Sequence, residues 1–248
     1  MDVSFQLYSA RSLDNQHEFL KTLAGLGYTQ VEGYGGVYEN PEAYRGAMDA
    51  AGVTMPSGHF ELIDLENSFN DKISIAKKLG MQRIYVPYIP ADQRPKESAG
   101  YKAIAQKMNV LNEKVRAEGF EFGWHNHDFE MEALADGGMP MEILLTEAPG
   151  ISWEGDMAWV QFAGADPFAW VDKFGARLSA VHIKDLAASG EKADEDGWAD
   201  VGEGVIDWKQ LIAKIREVAP DALSIMEHDK PSDVTRFATT SIKNFTSY

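Results

Sequence analysis

The stretch Glu118-Gly119-Phe120-Glu121-Phe122-Gly123-Trp124-His125-Asn126-His127-Asp128 decides the fold. A helical pattern over 99–118 ends at Gly119, where glycine can take the left-handed backbone that stops a helix. A β-rich run, 121–125, starts within two residues and ends in ionisable groups. The same order recurs on either side: Leu26-Gly27, Ala51-Gly52 and Leu79-Gly80 each close a helical stretch just before a strand. Strands are expected at 3–7, 28–32, 54–58, 83–86, 121–125, 151–156, 178–182 and 223–227. Helices are expected at 16–26, 43–51, 68–79, 99–118, 141–147, 167–174, 208–218 and 232–240. Asp166-Pro167 has the form of an N-cap followed by proline in the first helical turn.

Eight strand–helix units in strict alternation imply a parallel sheet covered by helices. An open doubly wound sheet would carry a glycine-rich loop after its first strand, and Tyr8-Ser9-Ala10-Arg11 is not one. The expected fold is therefore α/β, a single (β/α)8 TIM barrel over 1–248 as one domain. The acidic stretch 188–204 is expected to form a long loop after the seventh strand.

A chain of 248 residues suits one such barrel. Its formal net charge of -16 repels phosphate backbones, so no nucleic-acid partner is expected. Most of that acidity serves solubility, and part suits a mouth of carboxylates that attracts a cation. With no cysteine, disulfides, thiolate metal sites and cysteine nucleophiles are excluded. No apolar run is long enough to span a bilayer, and no basic segment precedes an apolar one at the N-terminus. A cytoplasmic protein with no membrane partner is expected.

The ionisable residues cluster at strand ends. His125 ends the fifth strand, Asp156 the sixth, His182 the seventh and Glu227 the eighth. In this fold such ends converge on one mouth, where active sites sit. Two imidazoles and two carboxylates would supply four ligands to a divalent cation, and mixed nitrogen and oxygen donors disfavour Ca2+. Alone, each has a plainer role: a histidine hydrogen-bonded to a neighbour, or a carboxylate capping the next helix. Four on consecutive strand ends favour the metal. Nearby stand His127, Lys184 and Asp185, with His59 and Glu61 after the third strand, Glu32 after the second, and Glu203 in the long loop. Trp124, Trp159, Tyr34 and Tyr85 could face a sugar ring or simply pack in the core.

At these residues the chain resembles the sugar phosphate isomerase/epimerase family, the xylose isomerase-like barrels that include inosose dehydratases and endonuclease IV. The resemblance rests on 123–130 (Gly-Trp-His-Asn-His-Asp-Phe-Glu), Asp156-Met157-Ala158-Trp159-Val160 and Ala163-Gly164-Ala165-Asp166-Pro167. It continues through His182-Ile183-Lys184-Asp185, 202–208 and Glu227-His228-Asp229, and so covers nearly the whole chain. It implies one divalent ion, Mn2+ first and Co2+, Zn2+, Fe2+ or Mg2+ as alternatives, held by one residue from each of the last four strands. Asp156, His182 and Glu227 match that pattern. His125 stands where many members have glutamate, with His127 and Glu130 as substitutes.

The implied chemistry is proton transfer beside a carbonyl through an enediolate, as in an isomerase or epimerase of sugars or keto-sugars. Glu227 is the candidate base, with His127 or His59 as partner and Lys184 neutralising an oxyanion. Trp124, Trp159, Glu61 and Glu203 are the candidate substrate contacts. The alternatives are a lyase or dehydratase acting on an inosose or 3-keto-glycoside, and a sugar-binding barrel without turnover. Endonuclease-like cleavage needs several metals and a basic surface, and this chain offers neither. The partner is a small sugar or polyol, phosphorylated or free. Barrels of that family often pair, so a homodimer is also an expectation.

Overall fold

Along a strand, alternate side chains enter different surroundings. Phe5, Val31, Ile84, Phe122, Trp124, Trp153, Val181 and Ile183 are all buried apolar residues, while their neighbours Gln6, Glu32, His125, Glu154 and His182 are buried and polar. Such alternation suits a sheet packed under helices on one side and closed around a polar interior on the other. The computed structural model describes residues 2–248 and shows that closed sheet.

Its staves are β1 (Ser4–Gln6), β2 (Gln30–Gly33), β3 (Thr54–His59), β4 (Arg83–Val86), β5 (Glu121–His125), β6 (Ser152–Asp156), β7 (Leu178–Ile183) and β10 (Leu223–Met226). They pair in parallel, and β10 closes on β1. The chain is thus a (β/α)8 barrel. Between β7 and β10 the expected loop carries a two-residue antiparallel pair, β8 (Asp185–Leu186) with β9 (Trp198–Ala199).

Several boundaries differ from expectation. The first strand stops at Gln6, because the Gln6 side chain accepts from Tyr8 N and starts a 3-10 turn over Leu7–Ala10. The last strand stops at Met226, leaving Glu227 just past it. Asp233 caps the final helix through Arg236 N, so that helix runs Val234–Phe245 rather than 232–240. The glycine stops hold: Gly27 and Gly80 have φ 104° and 83°, with amides returning to the preceding turn. Asp166 caps Pro167–Phe174 through Phe168 N at 2.9 Å.

The lower interior is plugged by Tyr85, Ala180 and Ile225, all fully buried. Tyr85 fits because its register partner is Gly123, where a Cβ would stand 2.8 Å from the Tyr85 ring. The Tyr85 hydroxyl bonds Ser179 Oγ at 2.7 Å.

Two fastenings hold the segment after β7. The Asp185 carboxylate accepts from the amides of Leu186, Gly202, Gly204 and Ile206 at 2.9–3.3 Å. Arg236 donates to Asp200 at 2.9 Å, to Glu195 at 2.6 Å and to Ser232 Oγ at 3.0 Å. No helix among the described residues is long and apolar enough to cross a membrane.

Candidate metal centre and active site

Strand register sets the heights of the polar side chains. His125 pairs with Glu154, Asp156 with His182, and His182 with Ile225. Asn126 locks the ends of β5 and β6 together. Its Oδ1 accepts from Asp156 N at 3.0 Å and Trp153 Nε1 at 2.8 Å, and its Nδ2 donates to Asp156 O at 3.1 Å. Asp156 then caps Met157–Phe162 by accepting from Trp159 N through Oδ1, which leaves Oδ2 without a hydrogen-bond partner.

The polar groups fall into two sets that share His182. The upper set is Asp156, His182 and Glu227, with His182 Nδ1 3.8 Å from Asp156 Oδ2. The lower set is His59, His125, Glu154 and His182. There Glu154 Oε2 lies 2.5 Å from His59 Nε2, 3.1 Å from His125 Nδ1 and 3.7 Å from His182 Nε2. Glu32 backs this set: its Oε1 is 2.9 Å from His182 Nε2 and 3.3 Å from His59 Nε2. Gln6 donates to Glu32 at 2.8 Å, and Ser57 donates to its other oxygen.

Lys184 is fully buried beside the upper set. Its ammonium contacts Glu227 Oε2 at 3.0 Å, bonds Asp229, and lies 3.8 Å from Asp156 Oδ2. It also sits over the rings of Trp198 and Trp159, at 3.8 Å and 4.4 Å from their centroids.

Burial and neighbouring charge pull these groups apart. Burial, with the Glu32 charge beside it, pushes Glu154 up to about 7. Burial, with Asp229, does the same to Glu227, also to about 7. Burial alone would lower His182, but Glu154 and Glu32 outweigh it and raise the ring to about 9. Glu32 faces the opposite balance: burial would raise it, and the His59 and His182 rings hold it well below the usual carboxylate range. Burial pushes His127 down to about 3, so that ring is neutral at pH 7.

The donor atoms fit a divalent ion. Asp156 Oδ2, His182 Nδ1, His125 Nδ1 and Glu154 Oε1 are buried with no hydrogen-bond partner. Native interiors rarely leave such groups unmet, and a cation between Asp156 and His182 would meet the Oδ2 and Nδ1 of the upper set.

The structure brings Asp156, His182 and Glu227 to one point and puts His125 in the adjoining lower set, turned toward Glu154. His59, Glu61, His127 and Trp159 line a cavity of about 610 Å³ above both sets, as do His125, His182 and Glu227. Tyr34 lines it too, whereas Tyr85 belongs to the plug below. Two expected contacts lie elsewhere. Trp124 faces away from the interior because it alternates with His125, and its Nε1 donates to Glu130 at 3.0 Å. Glu203 is exposed in a turn whose amide returns to Asp200 O, and it does not line the cavity.

Sequence reasoning missed Glu154 and left Glu32 without a role. The available signal was parity: Glu154 is two residues before Asp156 on one strand, hence on the same face.

A family model described as a xylose isomerase-like TIM barrel matches residues 20–244. Among solved structures, a sugar phosphate isomerase/epimerase from Parabacteroides distasonis ATCC 8503 is 20% identical, with a TM-score of 0.81 over 99% of this chain and 93% of that one. A 3-keto-D-glucoside 4-epimerase from E. coli, in its apo form, is 16% identical, with a TM-score of 0.74 over 100% of both chains. The IOLI protein, solved with a zinc atom, is 12% identical, with a TM-score of 0.78 over 100% of this chain and 97% of that one. At these identities the likeness is one of fold. No curated protein matches the chain. With the family model spanning nearly its whole length, the chain belongs to the xylose isomerase-like TIM barrel family.

Proposed function

We propose that this protein is a metal-dependent isomerase or epimerase that moves a proton beside the carbonyl of a small sugar or keto-sugar. The observation that carries the reading is the upper set: Asp156, His182 and Glu227 converge beneath an open cavity with unpartnered donor atoms. Those three residues would hold the ion, and one nitrogen with two carboxylates suits Mn2+. When bound, such an ion polarises a carbonyl and stabilises the enediolate left when the α-proton departs.

The chain's own groups divide the remaining work. Glu227 carries the proton at a carboxylate oxygen that Lys184 holds in place at 3.0 Å. Lys184 lies behind Glu227 and Asp229, which line the cavity, so its positive charge would act on substrate charge from beneath them. His127, neutral and with an unpartnered Nδ1, offers a hydrogen bond to a sugar hydroxyl. Trp159 supplies a flat apolar wall, 5.4 Å from the His127 ring, and Glu61 stands at the rim. A cytoplasmic location and a homodimeric state belong to the same proposal.

Glu227→Gln tests it. The variant should keep its circular dichroism and lose solvent-deuterium incorporation into keto-sugars supplied with Mn2+. Exchange at the wild-type rate would remove Glu227 from the reaction. Product analysis then separates isomerisation, which conserves mass, from loss of water.

A further inference from the structure

Opposite walls of the cavity carry different chemistry. Glu227 stands just past β10, and β4 lies four staves from β10 whichever way the closed ring is followed. The segment after β4 supplies Pro87, Tyr88 and Arg94 to the lining. A substrate that offers its carbonyl to Glu227 thus has Arg94 across the mouth from that end. The volume of about 610 Å³ gives one small molecule room to meet both walls.

Arg94 is mounted as a binding group. Its Nε donates to Ile89 O at 3.0 Å, its Nη2 donates to Tyr88 Oη at 2.6 Å, and its Cζ lies 3.6 Å from the Phe129 ring centroid. The guanidinium is therefore oriented before any ligand arrives. Those two bonds leave three of the five N–H groups of a guanidinium unused, and Nη1 has no partner among the described residues. Arg177 shows what a completed fastening looks like: its Nε, Nη1 and Nη2 each donate to a backbone carbonyl at 3.0 Å.

The cations around Arg94 are engaged elsewhere. Lys72 Nζ lies 2.8 Å from Asp64, and Lys184 bonds Glu227 and Asp229. Among the described residues, Arg94 is the one arginine or lysine of the lining with no carboxylate partner. An anion can supply that partner, and the wall restricts which one. Glu61 and Asp128 also line the cavity, and neither is paired with a lysine or arginine. Their repulsion grows with the charge of the guest, which disfavours a phosphate carrying nearly two charges. A carboxylate carries one charge, and its two oxygens match the planar guanidinium fork.

We propose that Arg94 binds a carboxylate at the end of the substrate remote from the reacting carbonyl, which makes the substrates keto-sugar acids. The inference rests on the proposed function for the reacting end and adds the anchor of the other. Tyr88 and Phe129, which hold the guanidinium, also pack on His127, with ring centroids 5.1 Å and 6.2 Å away. The carboxylate anchor and the hydroxyl contact thus share one mount.

The test compares 5-keto-D-gluconate with L-sorbose, which has a terminal CH2OH in place of the carboxylate. Dissociation constants are measured by calorimetric titration in the presence of Mn2+ for wild type, Arg94→Gln and Asp156→Asn. Circular dichroism confirms the fold of each. Wild type should bind the acid roughly tenfold to a hundredfold more tightly, as charge-assisted hydrogen bonds contribute. That ratio should fall to about one in Arg94→Gln and persist in Asp156→Asn. Equal affinities in wild type, or no measurable binding of either compound, overturn the inference. A ratio kept in Arg94→Gln and lost in Asp156→Asn also overturns it, because the carboxylate then sits on the ion and the proposed function stands. Tighter binding of L-sorbose 6-phosphate than of the acid would assign Arg94 to phosphate and overturn the carboxylate. The expected ratios without proton exchange into the acid would keep the role of Arg94 and overturn the proposed function.

Discussion

The barrel mouth and the clasp around Arg236 are both dense with charge, yet their polar atoms are met to different degrees. At the clasp each guanidinium nitrogen of Arg236 has an oxygen within 3.1 Å, supplied by Asp200, Glu195 or Ser232. At the mouth, Asp156, His125, His182 and Glu154 each keep a buried donor or acceptor atom without a partner. The clasp meets its guanidinium completely and leaves only Glu195 Oε2 without a hydrogen bond. The mouth keeps atoms that something else can complete.

The sharpest test of this contrast is Glu32→Gln. Glu32 does not line the cavity and meets it through Gln6 and the His182 and His59 rings, so its loss should act through their positioning. The expected effect is a 10- to 100-fold rise in the metal dissociation constant, roughly what such supporting carboxylates contribute, with the fold retained. Unchanged affinity by isothermal titration would show that Glu32 does not position these rings.

Arg236→Lys should do the reverse. Charge is kept but the planar fork is lost, and because the side chain is partly exposed the cost should be about 1–2 kcal/mol, or about tenfold in the folding equilibrium. Metal affinity should not move. If urea unfolding shows equal stability, the clasp is ornamental.

The smallest effect is a pH dependence. Burial would raise the Glu195 carboxyl, but Ser232 and Arg236 outweigh it and hold it at about 2, against an ordinary 4.5. A depressed acid contributes stability above its unfolded value and loses it as pH falls toward the folded one. The stability gap between wild type and Glu195→Gln should therefore be full at pH 6 and shrink between pH 4.5 and 2. A gap constant across that window would assign it to packing instead of charge.

The architecture was readable because its punctuation is local. Gly27, Gly52, Gly80 and Gly119 stop helices through their own backbone geometry, whatever surrounds them. The three upper-set residues were readable for a similar reason, since each stands at or next to a strand end. Glu154 was legible only through its parity with Asp156, and its partner His125 emerged only when register set the two opposite each other. Glu32 needed the barrel to close before His182, 150 positions away in sequence, came within 2.9 Å. Trp124 shows the converse: its alternation with His125 already turned it outward, and its place within a motif hid that.

The Asp185 carboxylate, gathering four amides from both arms of one excursion, has a practical consequence. It ties the segment at its base, so the exposed tip at 189–191 hangs free of the mouth. A foreign peptide grafted at that tip would be displayed on a fixed stem, and the barrel beneath would not register the change.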